Sequence, residues 1–204
     1  MREIEWVLQT KPKPKKRKAR YERKYSNAMW HADWHTMKNP FLKGLNLIIY
    51  LDDASRCVTG FGVFEEATID HSIMVLRDAI EKFGVPGQIL TDGGVEFISK
   101  HKGKKPKRTI YEQELLNTGI THLRTRVKRS QTNGKIDRFF QTLEMEMEWF
   151  DEVSRFIEHY NEERPHSSLD MNNHETPRMA FRNKKATDKI RKNNPKWMKE
   201  NIRK

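Results

Sequence analysis

The sequence predicts an α/β fold, with a central mixed sheet of five strands flanked by helices. Three observations lead there. Three strand-like segments follow one another, the pattern then switches to alternating helix and strand, and a long amphipathic stretch closes the series. Residues 28–38 (AMWHADWHTMK) alternate large and polar side chains, as a strand does. Residues 45–53 (LNLIIYLDD) form an apolar run suited to a buried strand, and 57–65 (CVTGFGVFE) follow after a short turn, so the two should pair as a hairpin. Ile69, Ile73, Leu76, Ile80 and Phe83 fall at helical spacing within 68–83, with Gly84 where a helix-ending glycine belongs. A strand at 88–92 runs into Gly93 and Gly94. A helix at 109–117, a strand at 120–124, and helices at 135–150 and 153–163 complete the order, the last stopped by Pro165.

The chain has 204 residues, 40 Lys and Arg against 28 Asp and Glu, and a formal net charge of +12. That excess attracts polyanions and is silent about fold. Cys57 is the lone cysteine, which excludes an internal disulfide framework and a cysteine-rich zinc module. No apolar run approaches the roughly 18 residues of a spanning helix, and the first residues do not read as a signal peptide. The reading is a soluble, cytoplasmic, nucleoid-associated protein with DNA as partner and no membrane. Residues 1–27 read as a basic, largely flexible arm because 11–24 (KPKPKKRKARYERK) have little to bury. Residues 28–182 read as the core, and 183–204 as a basic tail.

Three carboxylates stand out by position. Asp33 lies mid-strand among bulky neighbours, Asp92 ends the fourth strand, and Asp137 opens the long helix. A carboxylate within a strand is costly unless paired or bound to metal. If the first and fourth strands are adjacent, Asp33 and Asp92 converge and call for a cation. Two magnesium ions about 3.5–4 Å apart would satisfy them and clamp a phosphodiester. Against this, a single Asp at a strand end is more often a turn or cap residue, and Asp52 and Asp53 are read that way. His31 and His35 share the face of Asp33; hydrogen-bonded histidines are the expectation and metal ligands the alternative.

At these residues the chain resembles the catalytic core of insertion-sequence transposases and retroviral-type integrases, the DDE type. WHADWHTMK is similar to the family's first catalytic strand and YLDDASRCVTGF to the hairpin after it. GVPGQILTDGGVEF resembles the segment with the second acid, NGKIDRFFQTLEME the helix with the third, and YNEERPHSSLDMNNHETP the region beyond. The resemblance runs from about Trp30 to Pro177. It implies an RNase H-like fold, with Asp33, Asp92 and Asp137 as catalytic metal ligands for two Mg²⁺ or Mn²⁺ ions. It also implies hydrolysis at element ends, strand transfer by the freed 3′-hydroxyl, and assembly as a homo-oligomer on DNA.

Two departures from the family pattern matter. The third acid is usually Glu; Asp137 is one methylene shorter and retreats by roughly 1 Å unless its helix moves inward. Glu144 lies on the same helical face but about 10 Å along the axis, and Glu96 belongs to the turn after Asp92. The 44 residues between Asp92 and Asp137 (93 to 136) exceed the usual spacing, and the excess maps onto the basic loop near 100–108, where insertion is cheap. No helix-turn-helix reader is visible before Asp33, which points to a separate sequence-recognition subunit.

Lys135, Arg138, Asn133, Lys102, Lys104 and Lys105 are the candidate DNA contacts, each weighed against a solvated face or a turn. Arg164, Pro165 and His166 are read as shaping the wall beside the site. Two other functions stay open: a catalytically decayed, truncated transposase acting as a DNA-binding or multimerising module, and an RNase H-like nuclease acting on hybrids.

Overall fold

β-Branched and aromatic residues concentrate where the sheet forms. The computed structural model describes residues 22–92, 94, 97, 108–124 and 134–186. Strands β1 (Trp30–Thr36), β2 (Asn46–Asp52) and β3 (Val58–Phe64) make an antiparallel meander. Helix α1 (Ile69–Phe83) crosses to β4 (Gln88–Thr91), which pairs parallel with β1. Helix α2 (Ile110–Asn117) leads to β5 (Thr121–Arg124), parallel to β4. The sheet order is β3-β2-β1-β4-β5, mixed and five-stranded as the sequence predicts. Helices α3 (Gly134–Glu146), α4 (Val153–Glu162) and α5 (Pro177–Asn183) follow.

The period-two alternation of the strands divides the core into two layers. Trp30, Ala32, Ile48 and Tyr50 face α1 and α2, burying Ile73, Leu76, Tyr111 and Leu115. Met37, Leu47, Ile49 and Leu51 face α3 and α4, burying Ile136, Phe139, Leu143, Phe156 and Tyr160. Helix ends sit where their caps are. Thr68 accepts from the His71 amide, Thr109 and Glu112 form a reciprocal capping box, and Gly84 takes φ 87° as its N–H closes on Ile80 O. Among the described residues no helix is long and apolar enough to cross a membrane.

The structure differs from the sequence reading in three places. The helix expected over 135–150 stops at Glu146 and tightens into a 3₁₀ turn, Met147–Trp149, after which Phe150 becomes extended and packs edge-on against Phe156. Helix α5, not predicted from spacing, starts at Thr176–Pro177 with the Thr hydroxyl accepting from the Met179 amide. Third, packing reaches beyond 28–182 at both ends. Ser26 bridges in parallel to Lys185, and its hydroxyl donates to Phe181 O at 2.9 Å. Asn27, at φ 62°, donates its side-chain amide to Phe83 O at 2.7 Å and accepts from the Trp30 indole at 3.0 Å. The stretch read as a flexible arm therefore contributes residues 22–27 to the packed body. Residues 1–21 and 187–204 lie outside the described residues.

Gly60 marks where α1 meets the sheet. A Cβ there would stand 2.8 Å from Ala79 Cβ and 3.3 Å from the Val75 carbonyl oxygen, neither of which can swing away. Gly60→Ala is expected to destabilise the fold by about 1–3 kcal/mol, as overpacking does. Chemical denaturation checks this; an unchanged midpoint would mean that α1 is free to shift outward.

Candidate active site on the α3 face of the sheet

Alternation along β1 sends His31, Asp33 and His35 to the face covered by α3, each roughly 6.6 Å from the next along the strand. Asp33 is half-buried, and its Oδ1 accepts from the Trp34 amide at 2.9 Å. The β1–β4 register pairs Trp30 with Ile89 and Ala32 with Thr91. Asp33 and Asp92 are the next residue of each chain segment beyond the last paired position, Ala32–Thr91. Asp92 Oδ1 accepts from the Gly94 amide at 2.8 Å, closing the turn that leaves the sheet.

Helix α3 lies along β1. At one end Glu144 Oε1 meets His35 Nε2 at 2.6 Å and accepts from the Lys38 amide at 2.9 Å, while the His35 ring stacks on Phe140 at 4.6 Å. At the other end Asp137 sits exposed in the first turn. Partial burial raises its carboxyl pKa, with nearby His31 pulling the other way. Among the described residues, no group of three or more His, Cys, Asp or Glu stands close enough together to hold a metal ion. Asp33 and Asp92 supply two hard oxygen donors on neighbouring strands, a set suited to magnesium, which binds through one or two carboxylates and keeps waters. The donor chemistry fits; Asp137 does not close on the pair.

Asp53 lies in the β2–β3 turn, as read from sequence, and is also the centre of a buried polar cluster. Its carboxylate accepts from the Arg23 amide at 2.5 Å, from His31 Nε2 at 2.7 Å and from Lys135 Nζ at 2.5 Å, with no exposed surface. Burial raises its pKa, but the His31 hydrogen bond and the Lys135 charge outweigh that and hold it well below the usual carboxylate range. Burial brings Lys135 down to about 8, with Asp53 opposing. Burial lowers the His31 pKa, with the Asp53 hydrogen bond opposing. Its Nε2 faces the Asp53 carboxylate, and its buried Nδ1 has no hydrogen-bond partner among the described residues. The sequence signal available was a lysine two residues before Asp137 and an acid just past a strand end; spacing could not join them.

The expected DNA contacts divide accordingly. The Lys135 ammonium is turned inward onto Asp53. Arg138 is exposed and bonds Gln141 at 3.1 Å. Asn133, Lys102, Lys104 and Lys105 lie outside the described residues. His31 and His35 are both hydrogen-bonded to carboxylates, as the commoner reading had it. Arg164 grips Glu146 through two guanidinium nitrogens, at 2.7 and 3.0 Å, tying the end of α4 to the end of α3.

His122 on β5 meets Thr91 Oγ1 at 2.9 Å, and burial lowers its pKa from 6.5 to about 4. The unfolded chain takes up a proton near pH 6.5 that the native state refuses until about pH 4. His122 thus contributes stability that is fully present above pH 6.5 and is lost as pH falls toward 4. The melting temperature of wild type relative to His122→Gln is expected to fall by a few degrees from pH 7 to pH 5. A pH-independent difference would show that the imidazole titrates normally.

The integrase core domain model matches residues 23–130, more than half of the chain, and a second integrase core domain model matches 118–177. Integrase ORF3 of Spiroplasma virus SpV1-C74 is 28% identical over 184 residues, covering 80% of this chain and 49% of that protein. The transposase for transposon Tn552 of Staphylococcus aureus is 30% identical over 133 residues, covering 57% of this chain and 26% of that protein. The chain thus spans about half the length of the first relative and about a quarter of the second. Among solved structures, the HTLV-2 integrase catalytic core domain in complex with magnesium superposes with a TM-score of 0.56 at 17% identity, over 77% of this chain and 97% of that one. A chain of the simian T-cell lymphotropic virus intasome in complex with PP2A regulatory subunit B56 gamma gives 0.65 at 17% identity, over 80% of this chain and 57% of that one. The fold is RNase H-like, and the chain belongs to the integrase core domain family of integrases and transposases.

Proposed function

We propose that this chain is the catalytic core of a DNA transposase or integrase. In this reading it hydrolyses a phosphodiester at the ends of a mobile element and joins the freed 3′-hydroxyl to target DNA. What supports it is the parallel pairing of β1 with β4 up to Ala32 and Thr91, with Asp33 and Asp92 the next residues along, in a chain whose helix α3 carries Asp137 in its first turn. Neighbouring strands lie about 4.8 Å apart, so two ionised carboxylates there repel unless a cation sits between them. Asp33, Asp92 and Asp137 would hold magnesium or manganese, as two ions, which supply Lewis-acid activation of the nucleophile and neutralise charge on the phosphate.

The chain's own residues do the rest. Asp33 is fixed by the strand and by the Trp34 amide, and Asp92 by its turn, so neither carboxylate must be ordered when DNA arrives. Arg138, exposed one residue beyond Asp137, offers a charge to the phosphate backbone, and the net charge of +12 draws DNA to the protein. Assembly as a homo-oligomer on DNA belongs to the same reading, which is supported by the integrases and transposases the chain resembles.

A labelled, pre-nicked DNA end incubated with Mg²⁺ or Mn²⁺ tests it. Wild type is expected to join ends, and Asp33→Asn or Asp92→Asn to lower joining by roughly a thousandfold, the equivalent of several kcal/mol of metal-dependent stabilisation. Joining that survives both substitutions would remove these residues from the site. An inactive wild type restored by Asp137→Glu would mean a decayed enzyme.

A further inference from the structure

Helix α3 straddles β1 at its first turn. Ile136 is buried against the sheet, and its neighbours project about 100° to either side of it. On one flank Lys135 reaches Asp53, just past the end of β2; Asp137, on the other side of Ile136, is exposed in the same turn. Between them His31 reaches up from β1 to the same Asp53 oxygen that Lys135 binds. The far end of the helix is pinned by His35 and Glu144, four strand residues from His31 and nine helix residues from Lys135. Those intervals are nearly equal, roughly 13 Å in each case. The helix is therefore fixed at both ends along the strand that carries Asp33.

We infer that Asp53, with Lys135 and His31, is a positioning device that draws the first turn of α3 down toward β1, setting the reach of the one-carbon-shorter acid Asp137. This deepens the functional reading above and rests on it. Lys135 and Asp53 touch no substrate in this scheme; they act through the placement of Asp137. The contact has the stiffness for that task. The Asp53 carboxylate has no exposed surface, the Lys135 side chain is 16% exposed, and the ammonium also donates to the Asp53 carbonyl oxygen at 3.2 Å. A buried pair of this kind cannot be exchanged for water contacts without leaving a charge unpaired.

A lock that only stabilised the fold and one that sets the reach of Asp137 differ in how they can be repaired. Lys135→Met is expected to lower strand transfer by roughly 100-fold, the cost of misplacing a catalytic group by about 1 Å. KM for the DNA end should stay unchanged, and Mn²⁺ should bind more weakly by calorimetry. Adding Asp137→Glu to Lys135→Met is expected to restore both activity and Mn²⁺ affinity, because the extra methylene replaces the lost approach. Should Lys135→Met fail to fold, Asp53→Asn combined with Lys135→Met removes both charges and is carried through the same measurements. Wild-type activity and Mn²⁺ affinity in the folded lock variants would overturn the inference, as would losses that Asp137→Glu does not repair. A wild type that joins no DNA counts against the functional reading instead, and the Mn²⁺ isotherms then decide the lock.

Discussion

A single ionised side chain, Asp53, joins parts of the molecule that are far apart in sequence. It follows the end of β2, where the antiparallel pair with β1 begins, and receives donors from three directions. Arg23 comes from the segment before the sheet, His31 from β1 and Lys135 from α3. Removing one partner from such a buried pair typically costs about 3–5 kcal/mol, a large share of a domain's total stability. The neighbouring acid meets a different fate. Burial raises Asp52 to about 6, although hydrogen bonds from Ser55 and Asn27 oppose it. Adjacent carboxylates are thus driven apart. Asp53 faces a cation and stays charged, whereas Asp52 faces neutral donors and serves the turn.

The same turn gathers the described ends of the chain. The Asn27 amide donates to Asp52 Oδ1 at 2.8 Å, Lys184 Nζ donates to Ala54 O at 2.6 Å, and Arg56 NH2 stands 3.3 Å from Glu22 Oε2. Arg56 adopts φ 66°, a left-handed conformation unusual for a side chain of its size, and is buried. The strain is retained because these contacts over-determine it. Order at the β2–β3 turn is therefore shared with β1, α3 and α5, which makes the corner of the sheet below the first turn of α3 its most cross-braced region.

What the sequence revealed and what it hid follow from the range of the interactions. Thr68, Gly84 and the alternation of 30–36 act within a few residues, so the elements they define were legible. The adjacency of β1 and β4 was legible because helix–strand alternation constrains strand order. Asp53 was legible as a turn residue, but its buried role was not, because its partners lie 30, 22 and 82 residues away, at spacings that carry no local pattern. The same holds for Lys135, whose charge suggested DNA while its neighbours in space made it an anchor. Helix α5 did leave a local sign, a threonine cap followed by proline at the first helical position.

The third acid illustrates how the two ranges meet. Side-chain length is written in the sequence and shortens Asp137 by one carbon relative to Glu. Where that side chain begins is set by the height of α3 above β1, which depends on Ile136 and Phe139 packing on one side and on the Lys135–Asp53 contact on the other. A helix held at both ends along a strand has little freedom to slide, since interior packing resists shifts of even a methylene. Whether Asp serves in place of Glu is consequently a question about helix placement before it is one about the carboxylate. The residues that decide it lie one position on either side of Ile136, one bound inward to Asp53 and the other the exposed acid itself.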